Sequence, residues 1–396
     1  MMFVEFFIWG AWAVTLGTYL GRTLQFSGQQ IGLIYGTTAI AAIISPLFVG
    51  FIADRHFASE RVFSTLHLAG GILLYLASEV TEFAALYVLL LAYSVCYMPT
   101  LAVANGIGFR HLPDPDRQFP LIRVLGTIGW IVAGLVVGYL GVEDRNIPLK
   151  IASGMSLLLA VYGLMLPHTP PRPSQGKQTI GQMLGLDAFS LLRDRSFLVL
   201  FVSSVLISIP LAFYYNFTNL FLNELGVENA AGKMTMGQMS EVLFMLLMPL
   251  LFRRMGVKWM IAVGMLAWTL RYLLFAYGDV DPATIWMLYV GIILHGICYD
   301  FFFVAGQIYA NSKAPDSLKN SVQAMMTLGT YGVGMFIGSL VSGWIVSSFT
   351  SVDGVKDWET IWLIPASMAL VVLVLFVFTF RDDRKVEVAE VTAAGI

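Results

Sequence analysis

About a dozen apolar runs, each close to the length of a bilayer crossing, leave this chain few ways to fold. A helix rises about 1.5 Å per residue and the hydrocarbon core is about 30 Å thick, so one crossing takes roughly 20 residues. Runs of that order cover residues 3–20, 31–53, 62–78, 83–107, 119–140 and 151–166 in the first half. The second half supplies 198–222, 234–251, 259–277, 285–310, 322–348 and 358–380. Backbone amides in lipid must be satisfied inside the segment itself, which makes these runs helices. The expectation is an all-α membrane protein with twelve transmembrane helices. A composition of 58% hydrophobic and 12% charged residues, with mean hydropathy +0.77, is too apolar for an ordinary soluble domain.

Between the two sets of six, Pro167, Pro170, Pro171 and Pro173 stand among charged residues and read as a linker with a short surface helix. This divides the chain into a bundle at 1–166, a linker at 167–196, a second bundle at 197–380 and a disordered tail at 381–396. Basic residues in short loops stay on the cytoplasmic side. With the N-terminus inside, sixteen of the 23 fall in the even-numbered loops, linker and tail. Only Arg22, Arg145, Lys150, Lys233 and Lys356 fall opposite, and Arg123 and Arg271 lie within spans. Both termini are therefore expected in the cytoplasm. The first span lacks a basic n-region and a small-residue cleavage site, so it is expected to remain in the mature protein.

A net charge of −2 argues against nucleic-acid binding, which needs a concentrated basic face. Cys96 and Cys298 fall inside spans and are expected as free thiols acting as small apolar residues. No Walker loop, HExxH, serine elbow or paired metal-ligand motif occurs, so the chain is not read as an enzyme and no catalytic residue, metal or cofactor is expected.

Ionisable residues within the apolar runs carry the functional signal. Asp300 sits near the middle of its run, and others hold Arg123 and Glu241. A charge at a helix centre costs roughly 2.5–3.5 kcal/mol on insertion scales, which points to a polar pathway inside a bundle. Arg123, Thr127 and Trp130 are spaced to share one helix face, and Gln238 and Glu241 are i, i+3 neighbours. Asp300, Phe303 and Gln307 form one stripe of their helix, with His295 and Tyr299 on the adjoining one. Arg271, close to the outer end of its span, is expected to snorkel or join a structural pair, and Glu5 to reach the membrane interface. Asn216 and Asn219 follow Pro210, where a kink can free carbonyls towards a cavity, and suit a gating or substrate role.

The halves repeat. Val95-Cys96-Tyr97 recurs as Ile297-Cys298-Tyr299, and Leu125-Gly126-Thr127-Ile128-Gly129 as Leu328-Gly329-Thr330-Tyr331-Gly332, both pairing span n with span n+6. Parallel duplication follows. Asp300 aligns with Met98 and Arg123 with Met326, so the buried charges are not part of the shared scaffold. After the second span, Gly50-Phe51-Ile52-Ala53-Asp54-Arg55 resembles the loop signature of the major facilitator superfamily. Phe57 replaces its second glycine, and its basic pair is reduced to Arg61. That resemblance implies two pseudo-symmetric six-helix bundles in a major facilitator fold, with Gly50, Asp54 and Arg55 in conformational gating.

Several segments are more specifically similar to the bacterial nucleoside:proton symporters, the nucleoside permease family. They include Trp9-Gly10-Ala11-Trp12, Tyr97-Met98-Pro99-Thr100-Leu101, Ile122-Arg123, Leu184-Gly185-Leu186-Asp187-Ala188-Phe189, Ser240-Glu241, Leu270-Arg271 and Asp300-Phe301-Phe302. The resemblance runs over nearly the whole chain and implies a substrate site of Arg123, Thr127, Gln238 and Glu241, with Asp300 on the tenth helix. Trp130 and Tyr299 stand where the family has phenylalanine. Tyr215 and Ala212 stand where it has amides, and His295 where it has tyrosine. With Tyr215, Asn219 and His295 added, these residues form the expected nucleoside site.

Asp300 and Glu241 are the expected proton carriers, since protonation is the route by which a buried carboxylate without a partner becomes neutral. Arg123 is expected to pair with one of them in the empty carrier. The resulting expectation is a monomeric, multi-pass transporter in lipid of the bacterial inner membrane, importing nucleosides with protons by alternating access. Proton coupling is preferred to sodium coupling. A sugar or polyol:proton symporter of the same superfamily, and a non-transporting membrane receptor, are the alternatives.

Overall fold

The computed structural model describes residues 1–48, 57–171, 179–315 and 318–381. The first six apolar runs become helices α1 (Met2–Thr23), α2 (Gly28–Phe48), α3 (Ser59–Glu79), α4 (Phe83–His111), α5 (Pro115–Leu140) and α6 (Ile147–Gly163). After a linker carrying a short 3-10 helix, Leu186–Arg193, the second set begins with α7 (Arg195–Glu224). The continuous helix Ala230–Tyr277 holds 48 residues. At about 1.5 Å per residue that is more than twice a bilayer core, so it contains two crossings. Gly256 divides them, with φ 69° and ψ 169°, a conformation a side chain would resist. We denote residues 230–255 as α8 and 257–277 as α9. The last three are α10 (Ile285–Lys313), α11 (Lys319–Ser348) and α12 (Trp358–Thr379). All twelve expected crossings are thereby present, and among the described residues there is no β-strand beyond a lone Thr350–Lys356 bridge.

Buried apolar side chains sort into two clusters. One joins Ile8, Trp12, Tyr93, Tyr97 and Leu159 of the first six helices, and the other joins Phe213, Tyr214, Trp268, Phe302 and Trp362 of the last six. Each half thus has largely its own core, and the first also takes in Phe217 and Leu220 of α7, Val346 of α11 and Ile361 of α12, where the halves join. The start of α7 is fixed by Asp194, whose Oδ1 accepts the Phe197 amide at 3.0 Å while Oδ2 accepts from Lys313 Nζ at 3.0 Å. This caps the helix and ties it to the end of α10.

The halves meet tightly at the end bearing the loops after odd-numbered helices. A Cβ on Gly17 of α1 would lie 2.3 Å from the Asn216 carbonyl oxygen of α7, and one on Gly32 of α2 would lie 2.2 Å from that of Ser339 in α11. Glycine is required there because only a bare backbone permits such approach. Gly50, Asp54 and Arg55, expected to act in gating, lie outside the described residues.

Candidate functional site

Four helices converge on one cleft between the halves. Trp130 and Gly134 of α5 face Tyr214 and Tyr215 of α7 and Gln238 of α8, with Val14 of α1 beside them. Trp130 is itself braced edge-on by Trp9, ring centroids 5.5 Å apart. The i, i+4, i+7 spacing in α5 therefore delivers an aromatic wall to the cleft, opposite a pair of tyrosines and an amide. These side chains offer ring faces and a Gln238 amide that both donates and accepts, and in this conformation they close to leave room for little more than a water.

Beside this cleft α8 and α10 hold the acidic groups. Asp300 is completely buried, and neither of its carboxylate oxygens has a hydrogen-bond partner. It opens a π-helical turn, Asp300–Val304, a local widening of the helix that recurs at functional positions. Glu241 is partly exposed, and its Oε2 lies 3.9 Å from His295 Nε2. Tyr299, one position before Asp300, shares a hydrogen bond between hydroxyls with Tyr331 of α11.

Arg123 differs from its expected role. Its guanidinium lies 4.1 Å from the Phe6 ring centroid, is exposed, and makes no ion pair with Asp300 or Glu241. Its place one turn into the span, beside an α1 ring, satisfies the charge by a cation–π contact instead. Thr127 sits half-buried one turn further along the same face.

Asn219 sits with the gating rather than the substrate side of its expected roles. It does not line the cleft with Gln238 but belongs to the seal between the halves. Glu143, buried just beyond α5, accepts hydrogen bonds from Asn219 Nδ2 at 2.8 Å, Asn223 Nδ2 at 2.9 Å and the Ala231 amide at 2.9 Å. Asn219 Oδ1 in turn accepts from Thr18 Oγ1 of α1 at 2.6 Å. The neighbouring Asn216 donates to Ser339 and Ser342 of α11 at 3.2 and 3.3 Å. One carboxylate from the first half thus holds the ends of α7 and α8 in the second.

Two further ionisable groups near span ends are buried, one against expectation and one in line with it. Glu5 does not reach the interface: it is fully buried, with Oε2 2.8 Å from His67 Nε2 and Oε1 accepting from Thr100 Oγ1 at 2.6 Å. Arg271 does not snorkel. It too is fully buried, its guanidinium 3.3 Å from the Tyr214 ring centroid and its Nη1 3.2 Å from His295 Nδ1. The next residue, Tyr272, donates from its hydroxyl to the Pro210 carbonyl at 2.7 Å, which docks α9 against α7. Arg271 thus takes the structural pair that was one of its two expected fates, while Glu5 was misread because depth near a span end does not reveal a partner on another helix.

Two bundles of apolar helices, a cleft between them and uncompensated carboxylates at mid-depth define a secondary transporter of the major facilitator fold. The profile of the Nucleoside H+ symporter family matches residues 1–385, and the chain belongs to that family. It is 44% identical to the putative nucleoside transporter YegT of Escherichia coli (strain K12), with 100% of this chain and 95% of that one covered. It is 37% identical to the xanthosine permease of the same organism, over 99% and 98% of the two chains. The crystal structure of the nucleoside transporter NupG superposes with a TM-score of 0.89 at 34% identity, covering 96% of this chain and 98% of that one.

Proposed function

We propose that this chain imports nucleosides across the bacterial inner membrane together with protons, by alternating access, as a monomer in lipid with both termini cytoplasmic. The single observation that carries the coupling is Asp300: a fully buried carboxylate with two unpartnered oxygens. Ionised, such a group costs several kcal/mol, so it is stable here only with its proton on. Glu241, on the facing helix, is the second proton carrier. Losing that proton requires water to enter, which ties deprotonation to a change of access.

The substrate site in this reading is the cleft: Trp130 and Tyr215 for the base, Gln238 for its polar edge, with Arg123, Thr127, Glu241, His295 and Tyr299 around it. Leaving a base edge or ribose hydroxyl unpaired in such a cleft would cost about 1–3 kcal/mol, which makes these polar groups the source of selectivity. Asn219 serves the seal at the odd-loop end, which the proposed topology puts at the outer face. Gly50, Asp54 and Arg55 remain assigned to gating between α2 and α3.

The test is uptake of radiolabelled uridine into proteoliposomes with pH and sodium gradients imposed separately. Accumulation is expected under the pH gradient alone, competed by nucleosides and not by sugars or polyols. Accumulation driven by sodium alone, competition by sugars, or binding without uptake would each overturn it.

A further inference from the structure

Arg271 is a buried cation in the interior of a transporter, and none of the described carboxylates pairs with it. Its charge is met instead by the face of Tyr214, at 3.3 Å, within the range where a cation over an aromatic ring is attracted. The same Tyr214 ring stacks on His295, centroids 5.2 Å apart and planes 19° from parallel. Arginine and histidine are therefore held in fixed register by one tyrosine. The groups around His295 come from every neighbouring helix: Tyr214 and Tyr215 of α7, Glu241 of α8, Arg271 of α9, and Tyr299 of its own helix.

The chemistry of that register is one-sided. A guanidinium carries only donors and does not release a proton in proteins, so the contact between Nη1 and His295 Nδ1 at 3.2 Å requires Nδ1 to accept. An imidazolium would set N–H against N–H and cation against cation. A neutral ring with its proton on Nδ1 would fail for the first of those reasons. Only the neutral tautomer bearing its hydrogen on Nε2 satisfies the geometry, and Nε2 is the atom facing Glu241 Oε2 at 3.9 Å. At that separation the two groups interact electrostatically and are not hydrogen-bonded.

We infer that Arg271 is a positioning residue for Glu241, acting through His295: it locks the imidazole as a neutral Nε2–H donor aimed at that carboxylate. His295 then orients Glu241 without competing for the transported proton, which leaves Glu241 and Asp300 as the proton carriers. The functional part rests on Glu241 belonging to the transport site, as proposed above, while the tautomer follows from the geometry alone.

The experiment is 15N NMR of the full-length, histidine-labelled transporter in nanodiscs, with the His295 signals identified by their absence in His295→Gln. The expected spectrum has a protonated Nε2 and an unprotonated Nδ1 throughout pH 5.5–8. An Nδ1–H tautomer or an imidazolium in the unmodified protein would overturn the inference, and this reading needs no variant to fold. Arg271→Met should release the lock, so that the Nδ1–H tautomer becomes populated. It should also lower Vmax/KM for uridine uptake about tenfold, as for loss of one oriented bond to a charged group, and alter its pH profile. Arg271→Lys, which also offers only donors, should restore the original profile. A folded Arg271→Met carrier with unaltered tautomer and pH profile would refute the positioning role. If the unmodified protein takes up no nucleoside, the transport reading falls and the tautomer result stands by itself; uptake with the wrong tautomer sinks this inference alone.

Discussion

Glu143→Gln should shift the carrier towards the state open at the odd-loop end. The carboxylate uses both oxygens: Oε2 takes the Asn219 and Asn223 amides and Oε1 takes the Ala231 N–H. Glutamine has one oxygen. If it keeps the two asparagines, its NH2 group faces the Ala231 N–H; if it turns over, it faces two amide donors. One or two of the three charge-assisted bonds are lost, each worth about 1.5–3 kcal/mol net, so the closed arrangement weakens by roughly 2–4 kcal/mol. That is about a 30- to 1000-fold change in the ratio of the two states. The assay is double electron–electron resonance between spin labels at exposed Arg22 in the first half and Glu228 in the second, in a background with Cys96 and Cys298 replaced by alanine. The variant should add a population at longer separation. A distance distribution identical to that of the parent would refute the claim that Glu143 holds the seal.

Two further predictions concern stability. His67→Ala leaves Glu5, a fully buried acid, with only the Thr100 hydroxyl, and should destabilise the first bundle by about 3 kcal/mol, the low end of the cost of removing one partner of a buried pair. A thermal melt within a degree of the parent would contradict it. Asp194 lies outside the membrane; burial pushes its carboxyl up, but hydrogen bonds from the Phe197 amide and Lys313 hold it net below the usual aspartate value. A depressed carboxyl stabilises the fold above its ordinary titration range and loses that contribution as pH falls through the lower, folded-state value. Asp194→Asn should therefore lower the melting temperature at pH 7 and narrow the difference from the parent at strongly acid pH; the loss is under about 1 kcal/mol because the pair is partly solvated.

The crossings were legible because a bilayer fixes helix length, and 20 apolar residues announce themselves whatever their order. Asp300 was legible for a related reason: mid-run depth alone makes a carboxylate conspicuous. Depth says nothing about rotation around the helix or about what stands opposite. Glu5 and Arg271 lie nearer the ends of their runs, where an interfacial fate is the ordinary one, and their partners His67, Thr100, Tyr214 and His295 come from other helices. Glu143 follows the end of a run and reads as a solvated loop acid until the ends of α7 and α8 close over it. Asn219 was recognised as a polar residue inside a span, but only packing shows that it faces the seal. The joint between α8 and α9 rests on a single residue, Gly256, whose positive φ is invisible in a run of otherwise good helix formers.

The central claim is that Asp300 carries a proton that leaves and returns with substrate movement, and the direct measurement is proton flux. Adding uridine to lightly buffered, unenergised proteoliposomes should alkalinise the outer medium as nucleoside and proton enter together. Asp300→Asn should abolish that signal while uridine exchange continues. Alkalinisation of the same size in Asp300→Asn, or uridine entry without any proton movement in the unmodified carrier, would contradict the account.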